Sequence, residues 1–236
     1  MFDYIRPLLF REESLDHLCP NAHSSGGTCF LFLYGGKPYI VSAKHCLKNR
    51  DIASLTVISN LWVQNDEMYH QFSFTSPFQV LPHDEDDCLD VIFYPVDTRD
   101  YTPNMAKFFL PYQQVSDDDF SLKSRSIYVA GYPDPVHETD YDKGFWEGSG
   151  IGILVKNIEK DDIDSSMYKI HLADNLLESY NGFSGSPVYC VDCNKAIKII
   201  GMVLTGHPEN KILRFLDIRF ICRGIHGNGS RIENAT

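Results

Sequence analysis

The sequence predicts an all-β fold arranged as barrels or a sandwich. Three observations support this. Short apolar runs recur at fairly even spacing along the 236 residues, six in each half. Clusters of Asn, Asp, Gly, Pro and Ser separate them, and no helical pattern alternates with them. Aromatic residues make up 13%, with 15 Phe and 13 Tyr, and such side chains favour the pleated, half-buried surface of a strand.

The first 25 residues stand apart. They combine a short helical pattern at 7–18 with a polar stretch at 21–25. Residues 28–34 (TCFLFLY) are an apolar run, Gly35-Gly36-Lys37-Pro38 reads as a turn, and 39–43 (YIVSA) are a second run. Two such runs around a Gly/Pro turn predict a hairpin. Further strands are expected at 55–63, 69–75, 78–81 and 90–96. Residues 100–124 carry Pro103, Pro111 and the acidic Asp117-Asp118-Asp119, and read as a connector between two halves. Strands are then expected at 126–132, 151–158, 167–173, 187–191, 197–205 and 212–218. Residues 133–150 (PDPVHETDYDKGFWEGSG) are rich in turn formers and read as a surface loop.

Charge narrows the function classes. There are 21 Lys+Arg against 32 Asp+Glu, a net charge of −11. A chain this acidic is a poor match for nucleic acid or for an anionic membrane surface. No run approaches the roughly 18 apolar residues of a membrane span. The N-terminal text has neither the basic region nor the apolar stretch of a secretory signal. The 7 Cys are odd in number and cannot all pair within the chain. Together these features lead us to expect a cytoplasmic protein with its thiols reduced. Two glycosylation tripeptides, Asn228-Gly-Ser230 and Asn234-Ala-Thr236, carry no weight in that setting.

The chemistry concentrates in three segments. Asn181-Gly182-Phe183-Ser184-Gly185-Ser186-Pro187-Val188 places a serine between glycines. A nucleophilic hydroxyl needs a tight turn that exposes Oγ and aims N–H groups at a developing oxyanion. Glycines permit that turn, and Gly182 and Ser184 can supply the two donors. The hydroxyl also needs a base. His45, in Ser42-Ala43-Lys44-His45-Cys46, follows an apolar strand that would hold it rigidly. A third group must orient the imidazole. Asp90 opens the apolar stretch Val91-Ile92-Phe93, and Asp87 is a competing choice just upstream.

In this order the segments resemble the chymotrypsin/trypsin-like serine peptidase family. SAKHC (42–46), LDVIFYPV (89–96) and GFSGSPV (182–188) are similar to its histidine, aspartate and serine motifs. SGGTCFLF (25–32) and IGMVLTG (200–206) resemble its strands before the histidine and after the serine. The resemblance covers about residues 25–220 and favours Asp90 over Asp87. It implies two six-stranded antiparallel β-barrels with the active site in the cleft between them. The expected layout is an N-terminal extension at 1–24, a first barrel at 25–112, a second at 113–224 and a tail at 225–236. It implies a serine endopeptidase with catalytic His45, Asp90 and Ser184, an oxyanion hole at Gly182 and Ser184, and no cofactor or metal. Leu204, Thr205 and Gly206 would pair with an extended peptide substrate. Glu178, with Ser179 beside it, stands where trypsin-like relatives place the acid of the specificity pocket, which implies Lys or Arg at P1.

Departures from the family pattern shape the remaining expectations. Phe183 replaces the Asp that captures a new N-terminus in many relatives, so activation by N-terminal trimming is not expected. A regulatory protein partner, a disordered activation loop or the 133–150 insert would then control activity. Glutamate specificity is not implied, because Val203 stands where those relatives carry histidine and His207 lies past Gly206. Cys190-Val-Asp-Cys193 reads as a hairpin turn more readily than as half a metal site, since no second pair answers it. Cys46 has no cysteine at the matching position near Ser25, so no disulfide is expected there. Two alternatives stay open: a trypsin-like module that binds peptides without cutting them, and an esterase-type hydrolase using the same site.

Overall fold

Two β-systems meet along the middle of the chain. The computed structural model describes residues 2–11, 23–47, 55–63, 68–73, 78–79, 90–97, 99, 103–123, 125–134, 137–140, 145–173, 177 and 179–232. The first half contributes β1 (Ile5–Arg11), β2 (His23–Tyr34), β3 (Lys37–Ala43), β4 (Leu55–Thr56), β5 (Ile58–Val63), β6 (Met68–Gln71), β7 (Phe78–Gln79) and β8 (Val91–Pro95). Its main sheet follows the path β4-β1-β2-β3-β8-β7. Strand β9 (Leu110–Pro111) adds to β2 in parallel. The second half holds β10 (Ser126–Gly131), β11 (His137–Asp140), β12 (Phe145–Gly148), β13 (Ile151–Lys160), β14 (Met167–Leu172), β15 (Pro187–Val191), β16 (Ile197–His207) and β17 (Ile212–Asp217). Six of these close into a barrel in the order β10-β13-β14-β17-β16-β15. This is the chymotrypsin-like architecture that the sequence implied.

The expected hairpin at Gly35-Gly36 is present. Tyr34 pairs with Lys37, and the two glycines take φ of 56° and 77°. Positive φ at both central residues is the twist that a two-residue hairpin needs. Strands β2 and β3 bury both faces in their apolar stretches, as a continuous apolar run requires. Phe30, Ile40 and Val41 are fully buried there, as is Phe93 of the adjacent β8.

Three expectations need correction. Residues 5–11 are not helical: β1 lies between β2 and β4, with Ile5 opposite Phe30 and Leu9 opposite Thr56. This strand belongs to the first sheet and is not an extension preceding it. Local periodicity could not decide the point, because Ile5, Leu8, Leu9 and Phe10 are all buried. The 133–150 insert, read as a surface loop, contains strand pairing of its own: β11 and β12 pair in it, with Thr139 opposite Trp146. The expected tail begins inside a helix, α2 (Ile218–Ile232), the second of two among the described residues, after the one-turn α1 (Pro103–Ala106). Gly224, Gly227 and Gly229 lower its local propensity. Burial of Ile218, Ile221, Cys222 and Ile225, at i, i+3, i+4 and i+7, outweighs that cost. The Asp217 carboxylate caps the start by accepting from the Arg219 N–H at 2.8 Å.

The connector is fastened by a buried acid. Asp119 is 0% exposed. It accepts from the Ser116 N–H (2.9 Å), from Lys198 Nζ (3.3 Å) and from the Arg125 guanidinium. Burial pushes its carboxyl up, but the Ser116 N–H, Lys198 and Arg125 overcome this and hold it below the ordinary carboxylate range. A depressed native pKa stabilises the fold above the unfolded value, and that gain fades as pH falls through the native value. Asp119→Asn is therefore expected to cost about 2 kcal/mol at pH 7. The gap to wild type should close below about pH 4, in urea titrations run at several pH values. An equal gap at pH 7 and pH 3 would contradict this assignment.

Candidate active site

The histidine and aspartate are held at one sheet edge. Strand β3 ends at Ala43, opposite Val91 of β8. A 3₁₀ turn, Lys44–Leu47, then carries His45. The Lys44 N–H donates to the Asp90 carbonyl at 3.3 Å. The Asp90 carboxylate grips His45 twice: Oδ1 accepts from the His45 backbone N–H at 2.8 Å, and Oδ2 pairs with ring Nδ1. With Nδ1 carrying the proton, this pairing leaves Nε2 as the basic nitrogen. Both side chains stay partly open to solvent, at 42% and 35%. Asp87, the competing choice, lies outside the described residues.

The serine loop is built on two glycines that no other residue could replace. Gly182 has φ 87° and Gly185 has φ 85°. A Cβ on Gly182 would lie 2.5 Å from the Tyr132 carbonyl oxygen, and one on Gly185 would lie 2.0 Å from that of Thr28. Backbone bonds close the loop: Ser186 N–H to the Phe183 carbonyl and Gly185 N–H to the Val203 carbonyl, both 2.8 Å. Phe183 is fully buried, edge-on to Tyr180 with centroids 6.2 Å apart. No hydrogen bond occupies the N–H of Gly182 or Ser184 among the described residues. The Ser184 hydroxyl donates to the Leu204 carbonyl at 3.2 Å. It makes no hydrogen bond to His45.

The two halves are tied together at this loop by Thr28, which sequence reasoning did not single out. Thr28 is fully buried at the start of the apolar part of β2. Its N–H donates to the Ser184 carbonyl at 3.0 Å. Its hydroxyl accepts from the Tyr132 N–H and donates to the Gly182 carbonyl, both at 2.8 Å. Its carbonyl accepts from the Ser42 hydroxyl at 2.7 Å. One side chain from the first sheet thus holds the serine turn of the second barrel. The available signal was a hydroxyl residue inside an otherwise apolar run. Thr28→Val keeps the shape and removes the hydroxyl that the part-buried Tyr132 N–H and Gly182 carbonyl bond to. It is expected to cost about 2 kcal/mol of stability and to lower any Ser184-dependent activity roughly tenfold through a loosened loop. Thermal melts and kcat/KM measured on the same preparation would check both effects.

One cleft of about 210 Å³ collects most of the expected site residues. His45, Ser184, Gly182, Ser179 and Gly206 all line it. Thr205 is exposed beside Gly206, while Leu204 is half-buried and reaches the site through its carbonyl. Glu178, on which the expectation of a basic P1 residue rests, lies outside the described residues. Asp134, which was not expected, also lines the cleft and donates its N–H to the Asn181 carbonyl at 2.8 Å. The Cys190–Cys193 segment is the expected hairpin turn, with Asp192 Oδ1 accepting from the Asn194 and Ala196 N–H groups at 2.9 Å. Burial pushes the thiol of Cys29, the residue after Thr28, well up, which keeps it protonated and unfit as a nucleophile. No group of three His, Cys, Asp or Glu side chains is arranged to hold a metal among the described residues.

The arrangement can activate a hydroxyl beside unoccupied N–H donors, and sequence comparison points the same way. The sequence model of the Trypsin family matches residues 17–217. No characterised protein matches the chain in sequence. Among solved structures, human heparin binding protein aligns with a TM-score of 0.59 at 12% identity, covering 96% of this chain and 91% of that one. A structure described as the atomic resolution structure of HBP aligns with a TM-score of 0.58 at 13% identity, with the same coverage. At such identities the likeness establishes the fold alone.

Proposed function

The chain belongs to the trypsin family, and from that premise we propose that it is a serine endopeptidase acting through Ser184, His45 and Asp90. One observation carries the reading. The Asp90-anchored imidazole and the glycine-framed serine share a single cleft, with two backbone N–H groups unoccupied beside Ser184. His45 Nε2 takes the Ser184 proton as Oγ attacks the scissile carbonyl carbon. The carbonyl oxygen becomes an oxyanion, which the Gly182 and Ser184 N–H groups receive. The imidazolium, held by Asp90, then protonates the leaving amine as the peptide bond breaks. Water repeats the sequence on the acyl-enzyme and restores the Ser184 hydroxyl.

In the resting geometry Oγ points at Leu204. Attack requires Oγ to leave that bond for the imidazole, and catalytic hydrogen bonds of this kind tighten when substrate binds. The substrate is an extended protein segment that pairs with the β16 edge at Leu204 and Gly206. Labelling with a fluorophosphonate probe tests the reading. The wild-type chain should label at Ser184, and Ser184→Ala should not. A wild-type chain that neither labels nor cleaves peptides would overturn the proposal and leave the peptide-binding module. Turnover of esters alone would leave the esterase.

A further inference from the structure

We infer that this active site selects a small, uncharged P1 residue, because Tyr180 and Leu213 fill the space that a larger side chain would need. The inference rests on the serine-peptidase reading above. A scissile carbonyl seated on Ser184 Oγ, with its oxygen at the Gly182 N–H, fixes where the P1 side chain branches. It enters the cleft that Ser184 shares with Ser179, Tyr180 and Gly206. Gly206 has no side chain, so this wall would be open if the space behind it were empty.

That space is occupied. A Cβ on Gly206 would lie 2.5 Å from Leu213 Cδ2, 2.9 Å from Tyr180 Cδ2 and 3.1 Å from Tyr180 Cβ. Two side chains from different elements therefore fill the space beside the glycine, which a P1 chain lying against it would need. Both are fixed in place. Leu213 sits opposite Gly206 in the β16–β17 ladder and is fully buried. Tyr180 is 7% exposed, and its ring packs against the buried Phe183. A Lys, Arg, Phe or Leu side chain at P1 would have to displace packed core atoms, which interiors resist. Glycine, alanine and serine stop short of them. This runs against the basic P1 residue expected from Glu178.

Cleavage of a proteome-derived peptide library, with fluorophosphonate labelling of the same samples, tests the inference. Wild type is expected to label and to cut after Gly, Ala or Ser. Leu213→Ala should raise kcat/KM for Leu or Phe at P1 at least tenfold relative to Ala at P1. Because Leu213 lies in the barrel core, Tyr180→Ala opens the same space from the other side and should shift the profile in the same direction. A labelled wild type that prefers Lys, Arg or Phe overturns the inference and leaves the peptidase reading standing. So does a small-residue profile that neither folded variant alters. A wild type that neither labels nor cuts overturns both.

Discussion

Ser184→Ala is expected to lower kcat/KM for a peptide substrate by about 10⁶-fold. That corresponds to about 8 kcal/mol of transition-state stabilisation. The loss is large because serine and histidine act as one unit, so removing either disables the covalent route altogether. Stability should barely change. Ser184 is only half-buried, and its hydroxyl makes one 3.2 Å bond to the Leu204 carbonyl, so the folding cost stays within about 1 kcal/mol. Loss of activity with an unchanged melting curve is the signature of a nucleophile. A variant that retained more than a few per cent of wild-type turnover would remove Ser184 from that role.

Gly185→Ala is expected to fail in the opposite manner, through the fold. The new methyl would sit 2.0 Å from the Thr28 carbonyl oxygen and 2.4 Å from Ser42 Oγ. The φ of 85° adds backbone strain for any residue with a Cβ. Strain and overlap together should cost about 4 kcal/mol. Relief must come from moving the serine turn away from β2, because the obstacle is main chain that is itself hydrogen-bonded. A shift of about 1 Å in that turn is enough to lower turnover a hundredfold. Chemical denaturation should show the stability loss, and fluorophosphonate labelling of the folded fraction should be slow. A variant as stable and as readily labelled as wild type would mean that the loop and β2 are not coupled as described. Thr28→Val probes the same junction more gently, and the two effects should not add, since they share partners.

The readable parts of the site were those whose chemistry is local. A turn that exposes a serine needs glycines at nearby positions, and Gly182 and Gly185 stand in the text beside Ser184. His45 follows an apolar strand, and Asp90 precedes another. The strands β3 and β8 are adjacent and antiparallel, which is how residues 45 positions apart come to share two contacts. The unread parts depend on distant partners. Thr28 looked like one more residue in TCFLFLY, and its role appears only when Gly182 and Tyr132, more than 100 positions away, arrive at its hydroxyl. Helix α2 was hidden by its glycines, because the barrel surface that buries Ile218, Ile221 and Ile225 is assembled elsewhere in the chain.

The amino-acid order alone was enough to establish an all-β fold, the family resemblance, and the candidate nucleophile, base and orienting acid. The strands and the glycine-framed turn follow from covalent neighbours and short-range sterics, and the choice of Asp90 follows from the resemblance. Tertiary packing settled the rest. It placed residues 5–11 in the first sheet, since a segment whose Ile5, Leu8, Leu9 and Phe10 are all buried takes its conformation from what it pairs with. It hung the serine loop on Thr28, since buried polar groups must find partners wherever the fold supplies them. It closed the space behind Gly206 with Leu213 and Tyr180, since whether a glycine opens a pocket depends on what the opposite strand and the neighbouring loop place there.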